Sequence, residues 1–113
     1  MDLVFMHEGR YYLIDWKSNH LGGSVGDYGQ DALLKSMVRD NYILQYHLYC
    51  VALDQYLKQR LQGYNCDDHF GGVFYVYLRG VDPARGPEYG IFRARPDEED
   101  LVKLSEVLIN KEL

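Results

Sequence analysis

Two strand-forming runs lie on either side of one short turn signal, and that pairing constrains this chain more than any other feature. Residues 2–6 read DLVFM and residues 10–17 read RYYLIDWK, with His7, Glu8 and Gly9 between them. A two-residue loop at Glu8-Gly9 fits a tight hairpin, because glycine supplies the positive φ such a turn requires. The register then follows. His7 faces Arg10, Met6 faces Tyr11, Phe5 faces Tyr12, Val4 faces Leu13, Leu3 faces Ile14 and Asp2 faces Asp15. Opposed residues share one face of the ribbon, with Cβ atoms roughly 4.5–5.5 Å apart. Alternation along a strand puts Lys17 on the same face as Asp15. Two carboxylates and an ammonium therefore converge at the open end of the hairpin. A slip of one residue would carry Asp2 to the other face and dissolve the cluster.

Charge in a strand that also reads as buried needs a reason. Burial of an unpaired charge costs several kcal/mol, and like charges placed opposite one another destabilise a ladder. A fold that keeps them can protonate one acid, pair the acids with a base, or bind a cation between them. Two carboxylates completed by water suit Mg²⁺ or Mn²⁺, hard cations that prefer oxygen ligands. The lysine beside them can hold a water or a substrate oxyanion. An Asp-x-Lys step alone is also a common surface pair of small energetic weight, so the metal reading depends on Asp2 standing across from Asp15.

The rest of the chain orders itself around this hairpin. Residues 18–28, rich in Gly and Ser, read as a loop. Leu33, Leu34, Met37 and Val38 give residues 29–39 a helical period. Asp40 or Asn41 is placed to cap a second helix running to about Leu61. That helix is apolar on nearly every side until Asp54, which predicts a central position. Gly63 stops it, and the stretch GYNCDDHF reads as a loop. The run GGVFYVYLRG is apolar on both faces, as an interior strand is. IFRAR reads as a short edge strand ended by Pro96, and Asp97, Glu98 and Glu99 open a last helix with acids at its N-terminus. The predicted order is ββααββα, an α+β domain built on a mixed sheet of about four strands.

Composition narrows the function classes. With 113 residues, one domain is expected, and 47% hydrophobic residues exclude a disordered chain. A net charge of −5 gives no general nucleic-acid-binding face, so any DNA contact must be local or metal-bridged. Cys50 and Cys66 have no CxxC neighbour, which argues against zinc and iron–sulfur sites and for free thiols in a reducing compartment. No apolar run approaches ~18 residues and the N-terminus lacks signal-peptide features, so a cytoplasmic protein is expected.

At this point the residues resemble a known family. The segments DLVF and RYYLIDWKSN are similar to the acid, acid-x-Lys signature of restriction-endonuclease-like nucleases, and LQYHLY to the Q-x-x-x-Y motif of one branch. Together with HFGGVFYVYLRGVD they resemble the C-terminal nuclease domain of RecB-type proteins, the beta chain of bacterial exodeoxyribonuclease V, from Asp2 to about Pro96. The resemblance implies a partial α/β/α-like core and a metal-dependent nuclease of double-strand-break repair and recombination. It implies Asp2 and Asp15 as metal-binding acids, the Trp16 carbonyl facing the same metal, Lys17 as the catalytic lysine, and Gln45 with Tyr49 supporting the site and touching DNA. Mg²⁺ (or Mn²⁺) is the implied cofactor. DNA, RecC, RecD and RecA are the implied partners, and ATP belongs to the helicase part of such enzymes. A non-catalytic module that docks RecA or partner subunits is the alternative.

The family also places a metal-binding histidine on a helix ahead of the first acid, followed by another strand. None of the four histidines is an obvious substitute, and His20, three residues past Lys17, stays open as one. His7 is at the turn, about 16 Å from Asp2 at ~3.3 Å per residue. His47 is nearly opposite Gln45 on its helix, while His20 and His69 lie in predicted loops. The expectation is thus a single partial domain over residues 1–113, lacking the family's first helix and strand and inactive by itself. An apolar strand such as LVFM left at a sheet edge is a template for another chain, so self-association through this strand is expected as well.

Overall fold

The computed structural model describes residues 2–111, with side chains described through Val107. Four strands form one mixed sheet in the order β1-β2-β3-β4: β1 Leu3–His7, β2 Arg10–Lys17, β3 Phe70–Tyr77 and β4 Ile91–Ala94. Glu8 and Gly9 both have positive φ, 51° and 78°, the backbone of a type I′ turn whose twist matches the flanking strands. The β1–β2 register runs from His7 opposite Arg10 to Leu3 opposite Ile14, as the turn predicts.

Strands β2 and β3 are parallel. Parallel neighbours need a crossover, supplied by α1 Gln30–Arg39, α2 Tyr42–Arg60 and a single turn, α3 Cys66–His69. The last helix, α4 Glu98–Lys111, packs against α2. The helices cover one face of the sheet, where Leu13, Val73, Tyr75 and Tyr77 are fully buried with Leu33, Met37, Cys50 and Leu57. On the other face Phe5, Tyr12 and Phe74 form a row of rings with centroids 5.1 and 5.7 Å apart, half-buried beside an exposed Trp16. Strand β1 lies at the sheet edge with Leu3, Val4 and Met6 exposed, the geometry that the expected edge pairing requires.

Three local expectations are corrected. GYNCDDHF is not all loop: Asn65 accepts the Asp67 N–H at 2.8 Å and caps the short α3. The start of α2 is Asn41 in a left-handed conformation without a side-chain cap, while the Asp40 carboxylate turns back to Ser36 and Asn19. Helix α2 is also not enclosed all round, since Leu44 remains 59% exposed and the buried stripe is Tyr46, Cys50, Leu53, Asp54 and Leu57. Asp54, which the pattern marks as the end of the apolar stretch, is itself buried. It accepts the Tyr64 hydroxyl at 2.6 Å and pairs with Lys58 at 3.1 Å. A polar residue in a helical stripe reads as solvent-facing until a loop residue such as Tyr64 returns to satisfy it.

Burial of the two thiols sets how stability responds to base. Burial pushes Cys50 up to about 12 and Cys66 up to about 11, from an ordinary 9.0. Above pH 9 the unfolded chain releases protons that the folded chain keeps. Stability contributed by these groups is therefore complete below pH 9 and lost as pH rises toward 12. A one-unit rise in that window costs about 1.4 kcal/mol for a group shifted like Cys50. Urea midpoints should stay level from pH 6 to 8 and fall from pH 9 upward, with a shallower fall in Cys50→Ala. An equal slope in parent and variant would remove Cys50 as a cause.

Candidate active site

Asp15 and Lys17 stand two residues apart on β2, so both point to the helix-covered face. Asp15 is 4% exposed. Lys17 Nζ lies 3.0 Å from Asp15 Oδ1, and the lysine side chain is only 16% exposed. The same ammonium sits 4.2 Å from the centre of the Tyr42 ring and 5.4 Å from that of Tyr75. A carboxylate and two aromatic faces thus offset the loss of water around the lysine. The pair is held in one geometry, unlike a surface pair that gains little and moves freely.

Asp2 lies just outside β1 and is tied to the backbone of β2. Its Oδ2 accepts the Trp16 N–H at 2.7 Å and its own N–H donates to Ile14 O at 3.2 Å. The first acid therefore stands at the open end of the hairpin, against the residue next to Asp15, and stays exposed to solvent. Trp16 takes part through its main chain, since its indole is 42% exposed on the opposite face. Both acids supply hard oxygen donors. They match in kind a cation that takes one or two protein carboxylates and fills its other positions with water. Among the described residues no group of three or more His, Cys, Asp or Glu is arranged to hold a metal ion. Two of the histidines are engaged elsewhere: His47 Nδ1 lies 2.7 Å from Ile43 O, and His69 Nδ1 accepts the Asn65 N–H at 3.0 Å.

The two helix residues of the Q-x-x-x-Y pattern make different contacts. Gln45 reaches the cluster, with its Oε1 accepting the Tyr75 hydroxyl at 2.5 Å. Burial, and then the Asp15 charge, push Tyr75 well above the usual tyrosine range, so it remains a proton donor to Gln45. Tyr49 instead lines an apolar cleft with Val4, Tyr11, Leu13 and Leu53, seating the hairpin on α2. Tyr49 also stays within electrostatic reach of Tyr75, the residue that Gln45 bonds. Positions i and i+4 share a helix face, but one full turn separates them along the axis.

Two members of the cluster, Tyr75 and Tyr42, escape the sequence reading. Tyr75 comes to Asp15 because β3 pairs with β2 in parallel, with Asp15 opposite Tyr75 and Lys17 opposite Tyr77. The alternation Val73, Tyr75, Tyr77 is the signal that marks these residues as one face. Tyr42 comes from the first turn of α2 and exchanges hydrogen bonds at 3.2 Å with Asn19, whose Nδ2 also donates to Asp40 at 3.1 Å. The Arg39 guanidinium, bonded to Asp40, holds that carboxyl below the usual range. Ser36 donates to Asp40 at 3.0 Å and accepts from Tyr77 at 3.0 Å. The loop leaving β2 is thereby fastened to the α1–α2 junction beside the lysine.

The fold and the site define a small α+β domain that holds a carboxylate–lysine pair, roofed by tyrosines, at the open end of a hairpin. No family model matches the chain. It is homologous to one segment of the RecB subunits of RecBCD enzymes. It is 50% identical over 97 residues to the RecBCD enzyme subunit RecB of Escherichia coli strain K12, an overlap covering 86% of this chain and 8% of that protein. To the RecB subunit of Haemophilus influenzae it is 45% identical over 107 residues, 95% of this chain and 9% of the relative. To that of Mycobacterium tuberculosis strain H37Rv it is 37% identical over 114 residues, 96% and 10%. The chain thus spans about a tenth of the length of these relatives or less. Among the described residues no helix is long and apolar enough to cross a membrane.

Proposed function

We propose that this chain is the catalytic-site portion of a metal-dependent DNA nuclease of the restriction-endonuclease-like type. In this reading it works within a RecBCD-like enzyme of double-strand-break repair, in company with RecC- and RecD-like subunits. The observation that supports the reading is the nearly buried Asp15–Lys17 pair, with Asp2 anchored on the N–H of the intervening Trp16. A structural ion pair of this kind has no need of a second carboxylate anchored beside it.

Asp2 and Asp15, with the Trp16 carbonyl, are the groups that would hold Mg²⁺ or Mn²⁺. When bound, such an ion supplies Lewis-acid polarisation of a phosphoryl oxygen and a lowered pKa for its water. The chain's own residues set up the rest. Lys17, fixed by Asp15 and the two rings, presents its ammonium where negative charge grows on the phosphate as water attacks phosphorus and the bond to the leaving sugar oxygen breaks. A donor already in place at that point costs no reorganisation in the transition state. Gln45 and Tyr75 hold the floor beneath the pair, and Tyr49 keeps the hairpin on α2.

A docking role toward RecA or partner subunits is the second reading, and the half-exposed aromatic face of the sheet favours it. Calorimetric titration with Mn²⁺ tests the first. The parent should bind weakly with measurable heat, and Asp15→Asn should lose at least ~10-fold in affinity, the scale of a lost charged ligand. Equal heats in both proteins would remove the metal site and leave the docking reading.

A further inference from the structure

Beside this site lies a cavity of about 290 Å³ lined by Gly22, Gly23, Ser24, Tyr28, Arg79 and Asp82, among others. Its place follows from the parallel pairing. Lys17 and Tyr77 are partners at the ends of β2 and β3, and Leu78 N–H donates to Lys17 O at 2.9 Å. The glycine loop leaves β2 and Arg79 leaves β3, so the cavity opens at the same end of the sheet as the Lys17 ammonium. In sheets with parallel strands this is where ligands collect, outside the carboxyl ends.

The lining has the character of an anion site. Arg79 Nε donates to Ser18 O at 2.8 Å, which fixes the guanidinium while its terminal nitrogens remain outside that bond. Among the described residues no carboxylate forms an ion pair with Arg79. Asp82, on the same wall, is occupied by the Ala84 N–H at 3.0 Å and by Arg85 at 3.6 Å. Across the cavity, Leu21 N–H donates to Tyr28 and Ser24 N–H and Oγ donate to Asp27. Among the described residues Gly22 and Gly23, which lie between them, donate their N–H groups to no protein acceptor. A Cβ at Gly23 would meet nothing within 4 Å, whereas one at Gly22 would run into the Asp27 carboxylate, already bonded to Ser24, so the loop is open to a ligand at Gly23. A fixed guanidinium in one cavity with two backbone N–H groups that have no protein acceptor is a combination that phosphate recognition uses.

We infer that Arg79 and the Gly22–Gly23 amides form a backbone-phosphate subsite for single-stranded DNA, taking a phosphodiester that flanks the one beside Lys17. The inference rests on the nuclease reading for its choice of ligand. It also gives a chain of net charge −5 a local point of contact for a polyanion, with Arg79 and Lys17 at the same end of the sheet.

The test is binding of a fluorescein-labelled fifteen-residue oligothymidylate, followed by anisotropy in EDTA at several salt concentrations. Without divalent metal the measurement is independent of cleavage. Arg79→Ala and Arg79→Gln should weaken binding about 5- to 10-fold and reduce the salt slope by about 0.7, one phosphate contact to a single strand. The glutamine keeps a donor for Ser18 O, so a purely structural role would leave its slope unchanged. Arg79→Lys should retain the slope. Backbone amide resonances of Gly22 and Gly23 should shift with the oligonucleotide in the parent and not in Arg79→Ala. A parent that does not bind the oligonucleotide, or an Arg79→Gln that binds with the parent's affinity and slope, would overturn the subsite. The metal titration with Asp15→Asn reads the nuclease proposal separately, so either can fall while the other stands.

Discussion

Replacing Lys17 by alanine is expected to lower metal-dependent cleavage of single-stranded DNA by at least about 10²-fold while changing DNA affinity little. The scale is that of removing one preorganised donor from a charge that develops in the transition state. The readout is kcat in a polypeptide that carries this segment within the length of its relatives, since the resemblance places a further metal ligand upstream. Lys17 is held in place by Asp15 at 3.0 Å and by the rings of Tyr42 and Tyr75. It therefore does not wait for substrate to find its position, and its contribution falls on the rate rather than on binding. Stability should respond too, because Asp15 then loses a partner in a buried place. A melting curve recorded beside the kinetics separates the two effects. Cleavage by the folded variant at the parent rate would leave Lys17 with a structural role only.

The hairpin was readable because its information is local. One turn type, forced by Glu8-Gly9, sets every pairing from His7–Arg10 to Leu3–Ile14, and alternation then puts Asp15 and Lys17 on one face. The same locality explains what was not readable. Tyr75 reaches Asp15 through a parallel ladder whose register has no turn to fix it, and which slips by one residue between Tyr11 and Tyr12. Tyr42 reaches Lys17 only because the crossover lays the start of α2 over the ends of β2 and β3. Helical spacing put Tyr49 on the face of Gln45, and there it lines the apolar cleft under the hairpin while staying within electrostatic reach of Tyr75. The central place read for α2 holds, since it packs on α1, α4 and β3, but the burial of Asp54 by Tyr64 and Lys58 was not readable, because such compensation is tertiary.

Gly72→Ala should be the most destabilising of the conservative glycine changes, by about 4 kcal/mol. Two costs add there. Gly72 has φ of 116°, a region that L side chains rarely adopt and that costs of order 1–3 kcal/mol to hold. A Cβ at this position would also lie 2.5 Å from Ala94 O, a backbone atom of β4 that cannot swing aside as a side chain would. Forcing extra atoms into such a contact costs about 1–3 kcal/mol more. The glycine pair is needed because the β2–β3 ladder is shifted at this point, with Tyr11 opposite Phe70 and Tyr12 opposite Gly72. Gly71 makes room for the Tyr12 ring, 2.3 Å from where its Cβ would stand. At roughly 4–6 °C per kcal/mol for a domain of this size, the melting temperature should drop by about 15–25 °C. Domains of this kind hold only about 5–15 kcal/mol in all, so part of the variant should be unfolded at 37 °C. The consequence reaches the site, since the bulge sets the register that brings Tyr75, three residues further along β3, under Asp15 and Lys17. Amide exchange along residues 70–77 would report the loss directly, and a melting temperature within a few degrees of the parent would show that β4 can yield.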